Sequence, residues 1–95
     1  MVVGCGIIRM RLHGCRSLKA KRKIIKSMIG RIRNNFNVSV AEIDLNDMYQ
    51  SAEVGFVLVG NNKAVVNSKV DKVLNFAEDL GLAEIVDSEI EIIQL

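Results

Sequence analysis

The order in which the spacing of apolar residues changes along this chain restricts its fold more than any other feature. Residues 2–12 are predicted to form a strand, because Ile8, Met10 and Leu12 alternate with Arg9 and Arg11. From Leu18 to about Asn34 apolar residues instead recur at every third or fourth position, as on one face of a helix. The remaining chain is predicted to form two strands, at 38–45 and 52–60, then a helix and a last strand at 83–93. This second helix opens at Asn61 or Asn62 and ends at Leu80.

A β-α-β-β-α-β order in a chain of 95 residues leaves few possible topologies. Because crossover connections are right-handed, the two βαβ units produce a four-stranded antiparallel sheet with both helices on one face. The predicted fold is therefore α+β and ferredoxin-like. The length suffices for one domain and is too short for two, so we expect a single domain over 1–95. Ser17 is the expected N-cap of the first helix, and Gly81 the expected stop of the second.

Charge is divided unevenly along the chain. Residues 1–41 contain ten Lys and Arg side chains and no Asp or Glu, whereas all eleven acids lie at 42–95. On a helical projection of the first helix, five cations fall in a stripe roughly 100° wide beside the apolar stripe. They are Lys19, Arg22, Lys23, Lys26 and Arg33.

This stripe predicts a surface for phosphate groups, and RNA is the expected partner. Arg16 and Ser17 lie where the free N–H groups and the positive end of the helix dipole favour an anion. The predicted anion- or nucleic-acid-binding residues are thus Arg16, Ser17, Lys19, Arg22, Lys23, Lys26 and Arg33. Two alternatives remain: the stripe is an ordinary solvated face, or the acidic half neutralises the basic half within the fold or across a dimer.

The sheet face away from the helices carries secondary candidates. Arg9 and Arg11 alternate with the apolar residues of the first strand and are expected on this open face. RNA-binding domains of this topology stack bases on aromatic residues there, but the first strand has none and Phe56 is expected in the core. Recognition of the RNA backbone or shape is therefore the better hypothesis. Ile7 and Val57 or Val59 would leave the face apolar, which predicts a homodimer.

The loops offer weaker candidates for a site. Asp47 and Tyr49 in "NDMYQ" are secondary candidates because functional residues are often found on surface loops. Asp44 and Asp47 are too few carboxylates for a cation site, so no metal is predicted. His13 and Cys15 lack a third orienting group, so no nucleophile is expected. An enzyme alternative is an acylphosphatase-like site at Arg16, although the residue spacing of that family is missing.

Compartment and cofactor follow from the same features. The apolar N-terminal run is followed by charge instead of being preceded by it, which reverses the order of a signal peptide. No uncharged stretch approaches the ~20 residues of a membrane helix. The two cysteines, Cys5 and Cys15, have neither disulfide-framework nor metal-site spacing. We therefore expect a cytoplasmic, non-enzymatic protein with reduced thiols and no cofactor.

Three segments of the chain resemble the YlxP family of small bacterial proteins, a domain of unknown function numbered 503. They are "RSLKAKRKIIKSM", "RNNFNVSVAEID" and "DMYQSAEVG". The resemblance covers almost the whole chain and implies a ferredoxin-like fold, which agrees with the pattern. Family members are often encoded near translation and ribosome-maturation factors, which implies a link to RNA or ribosomes. The resemblance assigns no activity, and so no catalytic residue.

Two positions depart from the family pattern. The family usually has an acid at the position of Ala20, which would complete a capping box with Ser17. It usually has Trp where this chain has Tyr49. The first difference costs the helix start about 0.5–1 kcal/mol of cap stability. The second keeps an aromatic ring, so any stacking role of this loop would survive.

Overall fold

The predicted architecture is present in the computed structural model, which describes residues 1–95. All strand neighbours are antiparallel, and the strand order across the sheet is β2-β3-β1-β4. This confirms the α+β ferredoxin-like fold, and each observed bound lies close to the predicted one. The elements are β1 Val2–Arg11, α1 Leu18–Asn35, β2 Ser39–Asp44, β3 Ser51–Gly60, α2 Lys63–Asp79 and β4 Glu84–Gln94.

The core lies between the sheet and the two helices. Alternate residues of β1 and β3 face the helices, among them Ile8 and Phe56, which are almost fully buried. The helices contribute side chains at helical spacing: Ile25, Met28 and Ile32 from α1, and Val66, Val70, Val73 and Ala77 from α2. Phe56 therefore belongs to the core, as expected, and offers no stacking surface on the open side of the sheet.

Two glycines in β1 set how closely the rest of the molecule approaches this strand. A Cβ atom on Gly4 would lie 2.6 Å from the side chain of Val70, and one on Gly6 would lie 2.3 Å from the ring of Phe56. Such distances are shorter than real side-chain contacts allow. The absence of side chains at these positions lets α2 pack closely against β1 and lets the ring of Phe56 lie over Gly6.

Both helices begin and end as their sequences predict. The Ser17 Oγ atom accepts a hydrogen bond from the Ala20 N–H at 3.1 Å, and Asn62 Oδ1 accepts one from the Val65 N–H at 3.0 Å. The chain leaves α2 through Gly81, whose φ of 63° is left-handed and natural for glycine. Neither helix is both long and apolar enough to traverse a bilayer.

The second face of the sheet has no helix over it. Its apolar side chains are only partly shielded by one another, and Val57 and Val59 remain 41% and 60% exposed. The open sheet face consists of Val3, Cys5, Ile7, Ser39, Ala41, Ile43, Gly55, Val57, Val59, Glu91 and Ile93, with Arg9 and its neighbours at one end. Ile7, Val57 and Val59 thus lie where the sequence predicts them.

Candidate nucleic-acid interface

The six predicted cations form an exposed surface along α1 and the loop before it. All of them are exposed to solvent, and none has a carboxylate oxygen within the 4.0 Å of an ion pair. The ion pairs of the molecule involve other bases, namely Arg9, His13 and Lys21. Direct pairing with the acidic half of this molecule therefore does not neutralise the basic surface, which consists of Arg16, Lys19, Arg22, Lys23, Lys26 and Arg33.

The start of α1 concentrates positive potential at one end of this surface. The first turn of the helix contains no acid, and Arg16 and Lys19 flank the Ser17 cap. The Ser17 hydroxyl satisfies the Ala20 N–H at 3.1 Å, so its oxygen is already engaged in capping. Unpaired N–H groups and the helix dipole add positive partial charge here. Ser17 therefore acts first as a cap that shapes this end of the surface.

Arg33 marks the other end of the basic surface. It lies in the last turn of α1, and its Nη2 atom donates a hydrogen bond to the Val40 carbonyl oxygen at 3.3 Å. This contact directs the guanidinium group toward the edge strand β2. A guanidinium has five N–H donors, so this single contact leaves others for an anion.

Lys21 is the one cation of the segment that the fold withdraws from solvent. Its side chain is 1% exposed, and its Nζ atom donates a hydrogen bond to the Leu45 carbonyl oxygen at 2.6 Å. The same atom lies 2.9 Å from Glu42 Oε2, whose side chain is 17% exposed. That buried oxygen makes no aligned hydrogen bond, so the contact is an ion pair. Leu45 has a φ of 61°, a left-handed conformation that Lys21 helps to hold in the β2–β3 turn.

Sequence reasoning missed this buried pair, although a signal for it exists. Lys21 lies three residues after Leu18 and four before Ile25, so it falls within the apolar stripe of α1. Glu42 lies two residues after Val40, so it points to the same side of β2 as that buried residue. A cation and an acid that share the inward faces of two adjacent elements predict a buried ion pair.

Arg9 is surrounded by carboxylates on the open side of the sheet. Its guanidinium lies 2.8 Å from Glu89, 2.9 Å from Asp87 and 3.4 Å from Glu53. The hydrogen bond with Glu89 is the main reason that the pKa of Arg9 is raised above its usual value. Arg11 is exposed at the end of the same strand. The structure thus places both secondary candidates apart from the basic surface, and Arg9 is already neutralised.

The loop candidates lie in separate places. His13 pairs with Glu84 at 2.6 Å, and this hydrogen bond lowers the pKa of Glu84 below its usual value. His13 thus has an acidic partner that the sequence did not indicate. Cys15 is buried, and neither cysteine is in a disulfide.

The β2–β3 loop holds the other loop candidates. Asp47 and Tyr49 border a shallow cavity of about 280 Å³. Nearby, Asp44 Oδ1 accepts a hydrogen bond from the Leu45 N–H at 2.8 Å, as in an ordinary turn. No cluster of three His, Cys, Asp or Glu side chains suitable for a metal is present.

Known structures of similar shape support the fold. The de novo designed protein Foldit4 aligns with a TM-score of 0.57 and 16% identity, covering 100% of this chain and 99% of its own. The protein At3g17210 from Arabidopsis thaliana aligns with a TM-score of 0.52 and 10% identity, covering 98% and 94% of the two chains. Identities this low show a shared fold and nothing about function.

Sequence comparison is more specific. The chain is 31% identical over 67 residues to the uncharacterized protein YlxP of Bacillus subtilis (strain 168), which covers 70% of this chain and 73% of that protein. The family model described as "Protein of unknown function (DUF503)" matches residues 3–90, from the second residue of β1 to the middle of β4. These matches agree with the three resembling segments and with the observed fold, and the chain therefore belongs to the DUF503 family, as the resemblance to YlxP predicts.

Proposed function

We propose that this protein binds RNA through its basic surface and that ribosomal RNA is its partner. The observation that carries the proposal is the set of six exposed cations without a single carboxylate partner. Like charges spaced four residues apart on a helix, such as Lys19 and Lys23, repel one another and cost a few tenths of a kcal/mol per pair. An anionic partner that spans the surface would remove this repulsion.

On the basic surface, the geometry favours contact with RNA phosphates over contact with bases. The cations follow one helix, and the aromatic ring that base stacking would need, Phe56, is in the core. If about five phosphates of an RNA duplex were neutralised, the logarithm of the binding constant would fall with the logarithm of salt concentration at a slope near −4 to −5. Free thiols at Cys5 and Cys15 agree with a reducing cytoplasm, where ribosomes are found.

Filter binding of labelled ribosomal RNA at two salt concentrations tests this function. The variant Lys23→Gln/Lys26→Gln removes two charges from the basic surface and should bind more weakly, with a salt slope shallower by about two. The matched control is Arg31→Gln/Lys63→Gln, which removes two exposed cations outside the stripe and should bind like the wild type. Failure of the wild-type protein to retain RNA at low salt would overturn the proposal.

A second candidate function, a dimeric protein-interaction module, is favoured by the open sheet face. With four strands about 4.8 Å apart, ten residues in each of β1 and β3 and a rise of about 3.3 Å per residue, the face measures at most roughly 600 Å². Two such faces together reach about 1,200 Å², the lower end of specific interfaces. Ala41 and Gly55 border a depression of about 290 Å³ beside the exposed side chain of Val57. A second copy supplies an equally apolar partner whose projecting valines fit such a depression.

Sedimentation equilibrium distinguishes this candidate. The wild type should be a dimer, and Val57→Lys should be a monomer because a lysine would be buried in the interface. Val65→Lys is the matched control, since Val65 is similarly exposed, at 51%, but lies on α2 away from the sheet. A wild-type protein that sediments as a monomer at micromolar concentration would refute the dimer.

A further inference from the structure

A groove opens where α1 ends and the chain turns into β2. It has a volume of about 320 Å³, and its apolar wall includes Phe36, Val38 and Leu58. The ring of Phe36 is held edge-on against Phe76, with centroids 5.4 Å apart and planes at 79°. This wall is thus already ordered before any ligand binds, which reduces the entropic cost of binding.

The polar rim of the groove is cationic. Lys69 and Lys72 border it from α2, one helical turn apart, and the amides of Asn35 and Asn37 border it from the end of α1. Neither lysine has a carboxylate within ion-pair distance, and no Asp or Glu lines the groove. Asn35 Nδ2 donates one hydrogen bond to the Arg31 carbonyl oxygen at 2.8 Å, which leaves its second N–H and its Oδ1 atom for a ligand. The rim therefore suits a ligand that has both an anionic group, for the lysines, and polar groups that form hydrogen bonds with the asparagine amides.

The groove is continuous with the basic surface. A neighbouring depression shares Asn37, Val38 and Leu58 with it and extends to Arg33, again without an acid in its lining. Arg33 is the last cation of the basic surface. Positive charge therefore continues from α1, around the end of that helix, to Lys69 and Lys72 on α2.

We propose that the groove receives one nucleotide of a single-stranded RNA segment that continues from the basic surface, an inference that rests on the proposed RNA binding. The phosphate contacts Lys69 and Lys72, and the base lies against Val38 and Leu58 with its polar edge toward the asparagine amides. A volume near the lower end of the ~300–1,000 Å³ typical of small-ligand sites suits a single nucleotide. Bases in an RNA duplex are stacked inside it and cannot enter such a groove, whereas bases of a single strand can.

Fluorescence anisotropy with two labelled RNAs tests the assignment: single-stranded oligouridylate and a blunt RNA duplex. The variant Lys69→Gln/Lys72→Gln should lose about tenfold or more in affinity for oligouridylate at low salt, with a salt slope shallower by about 1.4. Its affinity for the duplex should change no more than that of the control Arg31→Gln/Lys63→Gln. Both variants replace exposed side chains and should fold normally, which circular dichroism checks.

The outcomes separate the two proposals. If neither RNA binds the wild type at low salt, RNA binding and the groove site both fail. If the duplex alone binds, or if Lys69→Gln/Lys72→Gln behaves like the control, the groove assignment is wrong and the basic surface stands. Nuclear magnetic resonance gives an independent readout, since oligouridylate should shift the backbone amide signals of residues 35–38 in the wild type. Unchanged signals there under saturating RNA would also overturn the assignment.

Discussion

Lys21 and Arg22 are neighbours in the chain, yet the fold uses their charges in opposite ways. Lys21 is buried, paired with Glu42 and bonded to the Leu45 carbonyl oxygen. Arg22 is exposed and has no acidic partner. The acids that form ion pairs lie on β2, β3 and β4, and none reaches the outward side of α1. One step of about 100° around the helix therefore separates a charge that stabilises the fold from one left for a partner.

Replacement of the two neighbours should give the largest difference. Lys21→Met should lower the free energy of unfolding by about 3–5 kcal/mol, because it leaves Glu42 buried without a counter-charge. Arg22→Met, at an exposed position, should change it by no more than about 0.5 kcal/mol. Urea denaturation of the two variants measures the difference.

A double variant checks the cause of that loss. Lys21→Met/Glu42→Leu replaces the buried pair with apolar side chains and should recover most of the stability, since such replacements are often neutral. If Lys21→Met and Arg22→Met unfold at the same urea concentration, Lys21 is not the structural cation that the geometry indicates.

The start of α1 extends the comparison between residues that stabilise the fold and cations left for a partner, because the neutral Ser17 cap lies beside those cations. Ser17→Ala removes the acceptor for the Ala20 N–H and should cost about 1 kcal/mol. The matched control is Ser68→Ala, an exposed serine within α2, which should be neutral or slightly stabilising because alanine favours helices. Thermal unfolding of both variants is the measurement, and equal melting temperatures would contradict a capping role.

An added acid should separate stability from binding. Ala20→Glu places a carboxylate in the first turn of α1, where the helix dipole and the Ser17 cap favour it by about 0.3–1 kcal/mol. The same charge lies within one turn of Lys19 and Lys23, beside the basic surface, so affinity for RNA should fall while stability rises. Urea denaturation and filter binding on one sample test both signs, and a variant that binds RNA more tightly would contradict the proposed surface.

The pair of His13 and Glu84 should give the smallest effect, because both side chains are exposed. The hydrogen bond lowers the pKa of Glu84 in the folded protein from 4.5. Its stabilisation is therefore present above that pH and is lost as the pH falls through the lowered pKa. Melting temperatures of the wild type and His13→Asn should thus converge as the pH falls from 5 toward 3. A difference in melting temperature that stays constant over this pH range would show that the hydrogen bond between His13 and Glu84 does not cause it.

Most of the architecture could be predicted because it depends on local patterns. The alternation in β1, the apolar spacing in α1 and the cap at Ser17 each act over a few residues and predict the observed elements. For the cap of α2 the sequence leaves Asn61 and Asn62 open, and the structure uses Asn62. The exposure of the basic surface can be predicted in the same way, because its cations on α1 lie outside the apolar stripe of that helix. The pairing of His13 with Glu84 joins residues 71 positions apart, and no local pattern signals it.

By itself, the sequence determined the order of elements, the inward and outward faces of each element, and the concentration of cations on α1. Only the tertiary structure decided the other charge pairings: Arg9 pairs with three acids, His13 pairs with Glu84, and the outward cations of α1 pair with none. It alone brought Lys69 and Lys72 beside the end of α1. Hydrophobic period is a property of neighbours along the chain, whereas charge pairing depends on distances across the folded molecule, which the packing of the helices on the sheet sets.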